Sequence, residues 1–374
     1  MRVSELRTPT VLIDQSRFER NIERMQAAAD ARHIRLRPHA KTHKSAILAH
    51  QQIARGAVGV CCAKLGEAEV FADAGIADIR LPYPLNPVNG VRVLALVDRL
   101  RLSFIIDDLD VARGWSAVMR DARREVDVLV KVDVGFHRCG IDPDSATAAE
   151  MVARVAELPG LRFRGLLSHA GHAYQAASED EAAAIASTEA RLLADLADAV
   201  ERIGPKVEEI SVGATPTARF SLLQERITEI RPGNYIYYDR TQVGLGAASW
   251  DDCALTVLAR VVSTPAPNRV ILDCGSKTLT NDLARGFGST PGYGVVFTDL
   301  ETRQPNEALV IERLSEEHAN VRVLTGGHGL RTGDLVRVLP NHSCVVSNLV
   351  DAVAIESGGE VLGELSVAAR GRIQ

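Results

Sequence analysis

The chain has 374 residues, of which 46% are apolar and 24% charged, and a formal net charge of −5. That length suits two domains with ample core, and a slightly acidic chain without a basic block argues against nucleic acid as a partner. The first seven residues lack the apolar segment of a secretory leader, no apolar run is long enough to span a membrane, and the six cysteines are scattered. Reduced thiols, a cytoplasmic location and no membrane partner are the expectation.

In chain order, Thr8-Pro9-Thr10-Val11-Leu12-Ile13-Asp14 reads as a strand and 16–31 as a helix. Eight strand patterns then alternate with helical ones. The strands fall at 33–39, 57–62, 78–83, 102–106, 127–132, 162–168, 207–212 and 227–231. Helical periodicity covers 45–55, 65–74, 87–99, 110–124, 145–157 and 179–203, with a short piece at 217–224. This pattern predicts a (β/α)8 barrel over residues 15–240. An open doubly wound sheet is the alternative, and the lack of a dinucleotide fingerprint weighs against it.

Beyond Tyr238 the pattern changes. Segments at 253–264, 269–273, 294–297, 308–313, 321–324, 334–339, 350–355 and 360–362 alternate or run apolar between Gly-, Pro- and Asn-rich turns, with no long helix. They predict an antiparallel β domain over 241–374. Residues 1–14 are assigned to it as well, although periodicity alone does not fix their place.

Barrels of this kind gather functional groups at the C-terminal ends of their strands. The first such end carries Arg37-Pro38-His39-Ala40-Lys41-Thr42-His43-Lys44. Cationic neighbours, Arg35 and Arg37 among them, favour a neutral Lys41 amine, and a neutral amine is the nucleophile that Schiff-base chemistry requires. After strand five, Arg138 offers a permanent charge for a cofactor oxygen or a substrate carboxylate. After strand six come His169, His172 and Tyr174, acid–base candidates of which His169 lies nearer the strand end. Strands seven and eight deliver Ser211, Gly213 and Thr215, then Gly233, Asn234 and Tyr235, small and hydroxyl-bearing residues where barrels bind phosphate. A lysine facing a phosphate cradle suggests pyridoxal 5'-phosphate.

In the second domain His342 and Cys344 stand apart. In an extended chain residues i and i+2 face one side, so imidazole and thiol converge on a single ion. Two protein ligands leave positions open, as a catalytic metal requires. Zinc suits the pair best, with manganese or another divalent ion the alternative. Whether His318 joins them is not fixed by sequence.

Taken together, the Lys41 segment, Asp133-x-Gly135-x-x-Arg138-x-Gly140, His169-Ala170-Gly171-His172-x-Tyr174, Gly213-Ala214-Thr215-Pro216-Thr217 and Pro340-Asn341-His342-x-Cys344 strongly resemble the D-threonine aldolase and D-serine dehydratase family. The resemblance runs in the same order over almost the whole chain. It implies a pyridoxal phosphate enzyme of the alanine-racemase fold (fold type III), a barrel followed by a β domain, working as a homodimer on a D-amino acid. It also implies Lys41 as the Schiff-base lysine, Arg138 beside the cofactor, and His342 with Cys344 on a divalent metal. His-x-Cys is similar to the dehydratases, while the sequence around 63–69 and 344–351 looks more like the aldolases. D-Threonine aldolase is therefore the expected activity, with D-serine or 3-hydroxyaspartate dehydratase as the alternative. A racemase and a non-catalytic cofactor-binding protein stand further off. Leu167, the position expected to face the cofactor ring nitrogen, is apolar, which leaves that atom's partner open.

Overall fold

The computed structural model describes every residue except 289, 290, 303 and 326. After β1 (Thr10–Asp14) the chain enters α1 (Gln15–Asp30), where the Asp14 carboxylate accepts from the Arg17 amide and caps the first turn. Eight parallel strands follow: β2 (Arg35–Leu36), β3 (Val60–Cys61), β4 (Asp78–Pro84), β5 (Arg101–Ile106), β6 (Val126–Lys131), β7 (Leu161–Leu167), β8 (Glu209–Val212) and β9 (Glu229–Ile230). They pair in the order β2-β9-β8-β7-β6-β5-β4-β3. A parallel bridge between His39 and Cys61, with the Cys61 amide donating to the Pro38 carbonyl at 2.8 Å, joins the last strand to the first. The sheet closes as a barrel.

Helices α2 (Ala46–Ala54), α3 (Leu65–Asp73), α4 (Gly90–Val97), α5 (Leu109–Ala122), α6 (Ala148–Ala156), α7 (Glu179–Arg202) and the short α8 (Ala218–Ser221) fill the connections. Strand alternation divides the side chains. Leu102, Phe104 and Ile106 of β5 and Val128 and Val130 of β6 pack against the helices, while Ile105, Leu129 and Leu167 form a small separate cluster inside the barrel. Next to that cluster the interior is ionic. Arg80 bonds Glu229 at 2.5 Å, Glu209 at 2.7 Å and Ser103 at 2.9 Å, and Arg37 bonds Glu229 at 2.8 Å. All are buried, and each charge has its partner, as buried ions require.

After α9 (Arg240–Gly244) the chain builds β10 (Leu255–Ala266), β11 (Arg269–Leu272), the one-turn α10 (Ser276–Leu279), β12 (Val295–Phe297), β13 (Leu309–Leu314), β14 (Ala319–Val323), β15 (Leu335–Leu339), α11 (Ser343–Leu349), β16 (Ala352–Ser357) and β17 (Glu360–Ser366). These strands and β1 form a second sheet, ordered β11-β14-β13-β12-β15-β10-β1-β16-β17. Strand β1 pairs antiparallel with β10 and parallel with β16. Among the described residues no helix is long and apolar enough to cross a membrane.

The structure corrects one local expectation. His342 and Cys344 do not lie on an extended strand. His342 is the N-cap of α11 and Cys344 sits in its first turn. The deciding partner is Asp239, whose carboxylate accepts from the Ser343 amide at 2.9 Å, satisfying a helix N-terminal donor. Val346 anchors the same helix in the core of the β domain.

Candidate active site

At the C-terminal mouth of the barrel, beneath α11 and the 281–285 segment of the β domain, lies a cavity of about 670 Å³. Lys41 opens into it from a short 3-10 turn, Ala40–Thr42, that follows β2. Apart from His39, the basic residues around Lys41 in sequence turn to other partners, and this corrects the electrostatic argument from sequence. Arg37 turns inward to Glu229 and Asp78, Arg35 to Glu209, Lys44 to a buried Glu67 at 2.9 Å, and His43 to Gln52 at 3.2 Å. Sharing the cavity with Lys41 are His39 and His169, together with the cations Lys131, Arg138 and Arg231. Burial, and then the Lys41 charge, hold both imidazoles well below the ordinary histidine range.

His169 is further defined by its ring nitrogens. Its Nδ1 faces the Gly213 carbonyl, so Nδ1 carries the proton and donates. A neutral ring then leaves Nε2 as a free base. The Phe136 ring meets it edge-on with centroids 5.8 Å apart, and the Arg138 guanidinium lies over the Phe136 ring, 5.1 Å from its centroid. Arg138 and Phe136 come from the loop after β6, where Asp133 accepts from the amides of Gly135 and His137, each at 3.0 Å.

Of the other sequence-chosen residues, Tyr174, Gly213, Thr215, Gly233, Asn234, His342 and Cys344 line this cavity. Ser211 and Tyr235 do not. The Ser211 hydroxyl points into the barrel, donating to Glu229 at 2.5 Å and accepting from Arg231 at 2.6 Å. The buried Tyr235 hydroxyl accepts from the Gln52 amide at 2.9 Å, in the layer against α2. Neither His172 nor His318 lines the cavity. His318 instead sits in the turn between β13 and β14, where its carbonyl accepts from the Ser315 amide.

Sequence reasoning missed His39, Lys131, Arg231, Asp239, Gln242 and Asp282 in the wall. Arg231 and Lys131 follow the strand alternation, two residues beyond Glu229 and Leu129, and that period could have found them. Burial lowers the Lys131 ammonium to about 8, with nearby Arg231 and Arg138 adding to the effect. Arg231 is buried and fixed between Ser211 and the Ser168 carbonyl.

The cavity fits a phosphorylated cofactor. Among the described residues of its wall, the side-chain amide oxygen of Asn234 is buried without a hydrogen-bond partner, and the buried Thr215 hydroxyl and Gln242 amide have no partner but the Tyr174 phenol beside them. Buried polar atoms of this kind call for a ligand. The glycines let neighbouring turns of the wall pack closely. A Cβ at Gly233 would meet the His39 carbonyl at 2.9 Å and the Thr42 hydroxyl at 3.0 Å, and one at Gly213 would meet Arg231 at 3.0 Å. Burial keeps the Tyr174 phenol protonated, so it is a donor.

His342 and Cys344 line the same cavity, with Cys344 against the turn that carries Lys41. Burial disfavours charge on both, yet the thiolate raises His342 to about 10, and His342 in turn pulls the Cys344 thiol down. The Cys344 sulfur lies 3.2 Å from the Thr42 hydroxyl and receives the Asn234 amide at 3.4 Å. That amide also reaches Asp239 at 2.6 Å, so Asn234 supports the sulfur. Among the described residues no three His, Cys, Asp or Glu side chains form a ready ligand set. The pair alone supplies a thiolate and an imidazole, a donor set suited to a divalent ion with open positions.

Architecture and site together define a protein of the alanine-racemase fold with a lysine in a polar, glycine-bearing cavity at the barrel mouth. Comparison with known proteins agrees: residues 13–241 match the alanine racemase N-terminal domain and residues 254–355 match a putative serine dehydratase domain. The chain is 34% identical to a D-threonine aldolase of Arthrobacter sp., over 97% of this chain and 93% of that one. It is 33% identical to D-threo-3-hydroxyaspartate dehydratase of Delftia sp. (strain HT23), over 91% of each chain. A solved structure of that dehydratase superposes with a TM-score of 0.90 at 30% identity, covering 98% of both chains. The chain belongs to the D-threonine aldolase and D-serine dehydratase family, whose members depend on pyridoxal phosphate.

Proposed function

We propose that this protein is a metal-activated lyase of D-3-hydroxy amino acids, and specifically a D-threonine aldolase that yields glycine and acetaldehyde. The observation that carries the reading is His169: a neutral imidazole with its Nε2 free, in the same cavity as Lys41 and the His342–Cys344 pair. Pyridoxal phosphate, when bound, acts as the sink for the electrons released at Cα. Lys41 would hold it covalently, and Thr215, Gln242, Tyr174 and the amides near Gly213 and Gly233 would hold its phosphate. A divalent ion on His342 and Cys344 would lower the pKa of the substrate hydroxyl. A solved cysteine variant of D-threo-3-hydroxyaspartate dehydratase, described as a metal-free form, superposes on this chain with a TM-score of 0.90 and supports that reading of the pair.

The chain's own residues then have distinct tasks. Arg138 orients the substrate carboxylate or the cofactor oxygen. His169 accepts the β-hydroxyl proton at Nε2 as the Cα–Cβ bond breaks. Arg231, the buried cation in the wall, would serve the ring nitrogen, for which apolar Leu167 offers no polar group. A homodimer with sites near the subunit boundary is part of the proposal.

A second reading has support from Cys344, because His-x-Cys is similar to the dehydratases. There Lys41 removes the α-proton and the β-hydroxyl leaves, giving a keto acid and ammonia. Product analysis from D-threonine decides. Glycine with acetaldehyde supports the aldolase, and 2-oxobutanoate with ammonia overturns it in favour of the dehydratase. L-Threonine is expected to be inert, since only one enantiomer sets its hydroxyl on a fixed ion while its carboxylate keeps the same contacts.

A further inference from the structure

One wall residue that no local pattern marks is Asp282. It lies in the cavity wall, three residues after α10, and its Oδ2 is 2.6 Å from the Nδ1 of His342. We propose that Asp282 is a positioning residue for the metal: it fixes the ring orientation and tautomer of His342 so that Nε2 faces the ion. The inference rests on the reading of His342 and Cys344 as metal donors.

The local structure is built for this. The Asn341 amide, one residue before His342, donates to the Asp282 carbonyl at 2.9 Å and to the Gly292 carbonyl at 2.9 Å. The Asp282 amide donates to Thr280 Oγ1 at 3.1 Å. Three residues further on, the Arg285 amide donates to Thr241 Oγ1 at 3.3 Å, and that hydroxyl donates to the Asn341 carbonyl at 2.8 Å. The loop that carries Asp282 and the turn that carries His342 are therefore tied together through Asn341 and Thr241, before either side chain is considered.

A carboxylate at Nδ1 can only accept, so Nδ1 must carry a proton and Nε2 keeps its lone pair when the ring is neutral. Carboxylate partners of this kind orient metal-bound histidines and raise their basicity, and their removal typically costs about 10–100-fold in metal affinity. The competing view is a plain surface ion pair, because the two side chains are 42% and 46% exposed. Such a pair adds little stability. It would also leave metal affinity untouched, and there the two views part. Cys344 has its own outer contacts in Thr42 and Asn234, so Asp282 completes a set in which each donor is held from behind.

The test uses metal-stripped full-length protein with its cofactor retained. Co²⁺ is titrated while the thiolate-to-cobalt absorption of Cys344 is followed, and Zn²⁺ affinity is measured against a chromophoric chelator. Wild type, D282A, D282N and H342A are compared. The expected result is a Kd about 10–100-fold weaker for D282A, with the thiolate band still formed at saturation. D282N should fall between D282A and wild type, because its amide oxygen still accepts from Nδ1. It is also nearly isosteric, which guards against misfolding of the alanine variant. D282A within twofold of wild type overturns the inference, as does D282N no better than D282A. If wild type itself binds neither ion, or if H342A binds as wild type does, the metal reading fails and this inference with it.

Discussion

Glu229→Ala perturbs the group on which the barrel interior converges. Glu229 is fully buried and accepts from Arg37 at 2.8 Å, from Arg80 at 2.5 Å and from Ser211 at 2.5 Å. Burial alone would raise its pKa, but Arg80 and Arg37 hold it far below the usual carboxylate range, so it is ionised in the folded state. Removing one partner of a buried ion pair costs about 3–5 kcal/mol, because the other charge is left without compensation. Arg80 keeps Glu209 and Arg37 keeps Asp78, which places the expected loss near the lower end, about 3 kcal/mol. Unfolding in urea, followed through Trp115, reads the barrel directly, since that indole is buried against Phe104 with ring centroids 4.9 Å apart. The pH dependence follows from the depressed pKa. The carboxylate's contribution is complete above the unfolded value of about 4.3 and is lost as pH falls towards the folded value. The gap between wild type and variant should thus be constant from neutral pH down to about 5 and shrink below it. A loss under about 1 kcal/mol at pH 7, or a gap that widens in acid, would refute the ionic account of the barrel interior.

Other expectations concern the site. His169→Gln should lower kcat/KM for D-threonine by about 10²–10⁴-fold. Because burial and then Lys41 depress the His169 pKa, the acid limb of the wild-type pH–rate profile should lie below the ordinary value of about 6.5; the base is neutral above its own pKa and is lost as pH falls through it. Gly233→Ala should weaken cofactor binding, since the new Cβ would press the His39 carbonyl at 2.9 Å and shift the turn bearing Lys41. The check is the cofactor Kd by fluorescence quenching, and an unchanged Kd would contradict the cradle. Cys344→Ala should strip metal and turnover yet leave the cofactor on the protein, and full activity after exhaustive chelation would remove the ion from the reaction.

Much of the fold was legible because it depends on local pattern. Each barrel strand is an apolar run bounded by a helical period, and Lys41, Arg138 and His169 fall at strand ends that the pattern locates. What stayed hidden depends on partners far apart in the chain. Arg35, Arg37 and Lys44 look like a cationic setting for Lys41, but the carboxylates that claim them come from β8, from β9, and from α3. Ser211 appeared to belong to a phosphate loop, and strand parity sends it into the interior with Glu229. The turn at His342 became a helix start because of Asp239, which is 104 residues away from Ser343. Asp282 sits in a loop with no periodicity, so nothing local marked it.

The central claim is that Lys41 carries the cofactor, and two lysines line the cavity. Lys131 is the rival: buried, with its ammonium lowered to about 8, though its Nζ is engaged with the Val132 carbonyl at 3.0 Å. Borohydride reduction of the cofactor-loaded protein, digestion and peptide mass spectrometry distinguish them. The pyridoxyl phosphate mass should appear on the peptide containing Lys41 and vanish in Lys41→Ala. Its appearance on the Lys131 peptide, or undiminished labelling of the Lys41→Ala protein, would contradict the assignment on which the site is built.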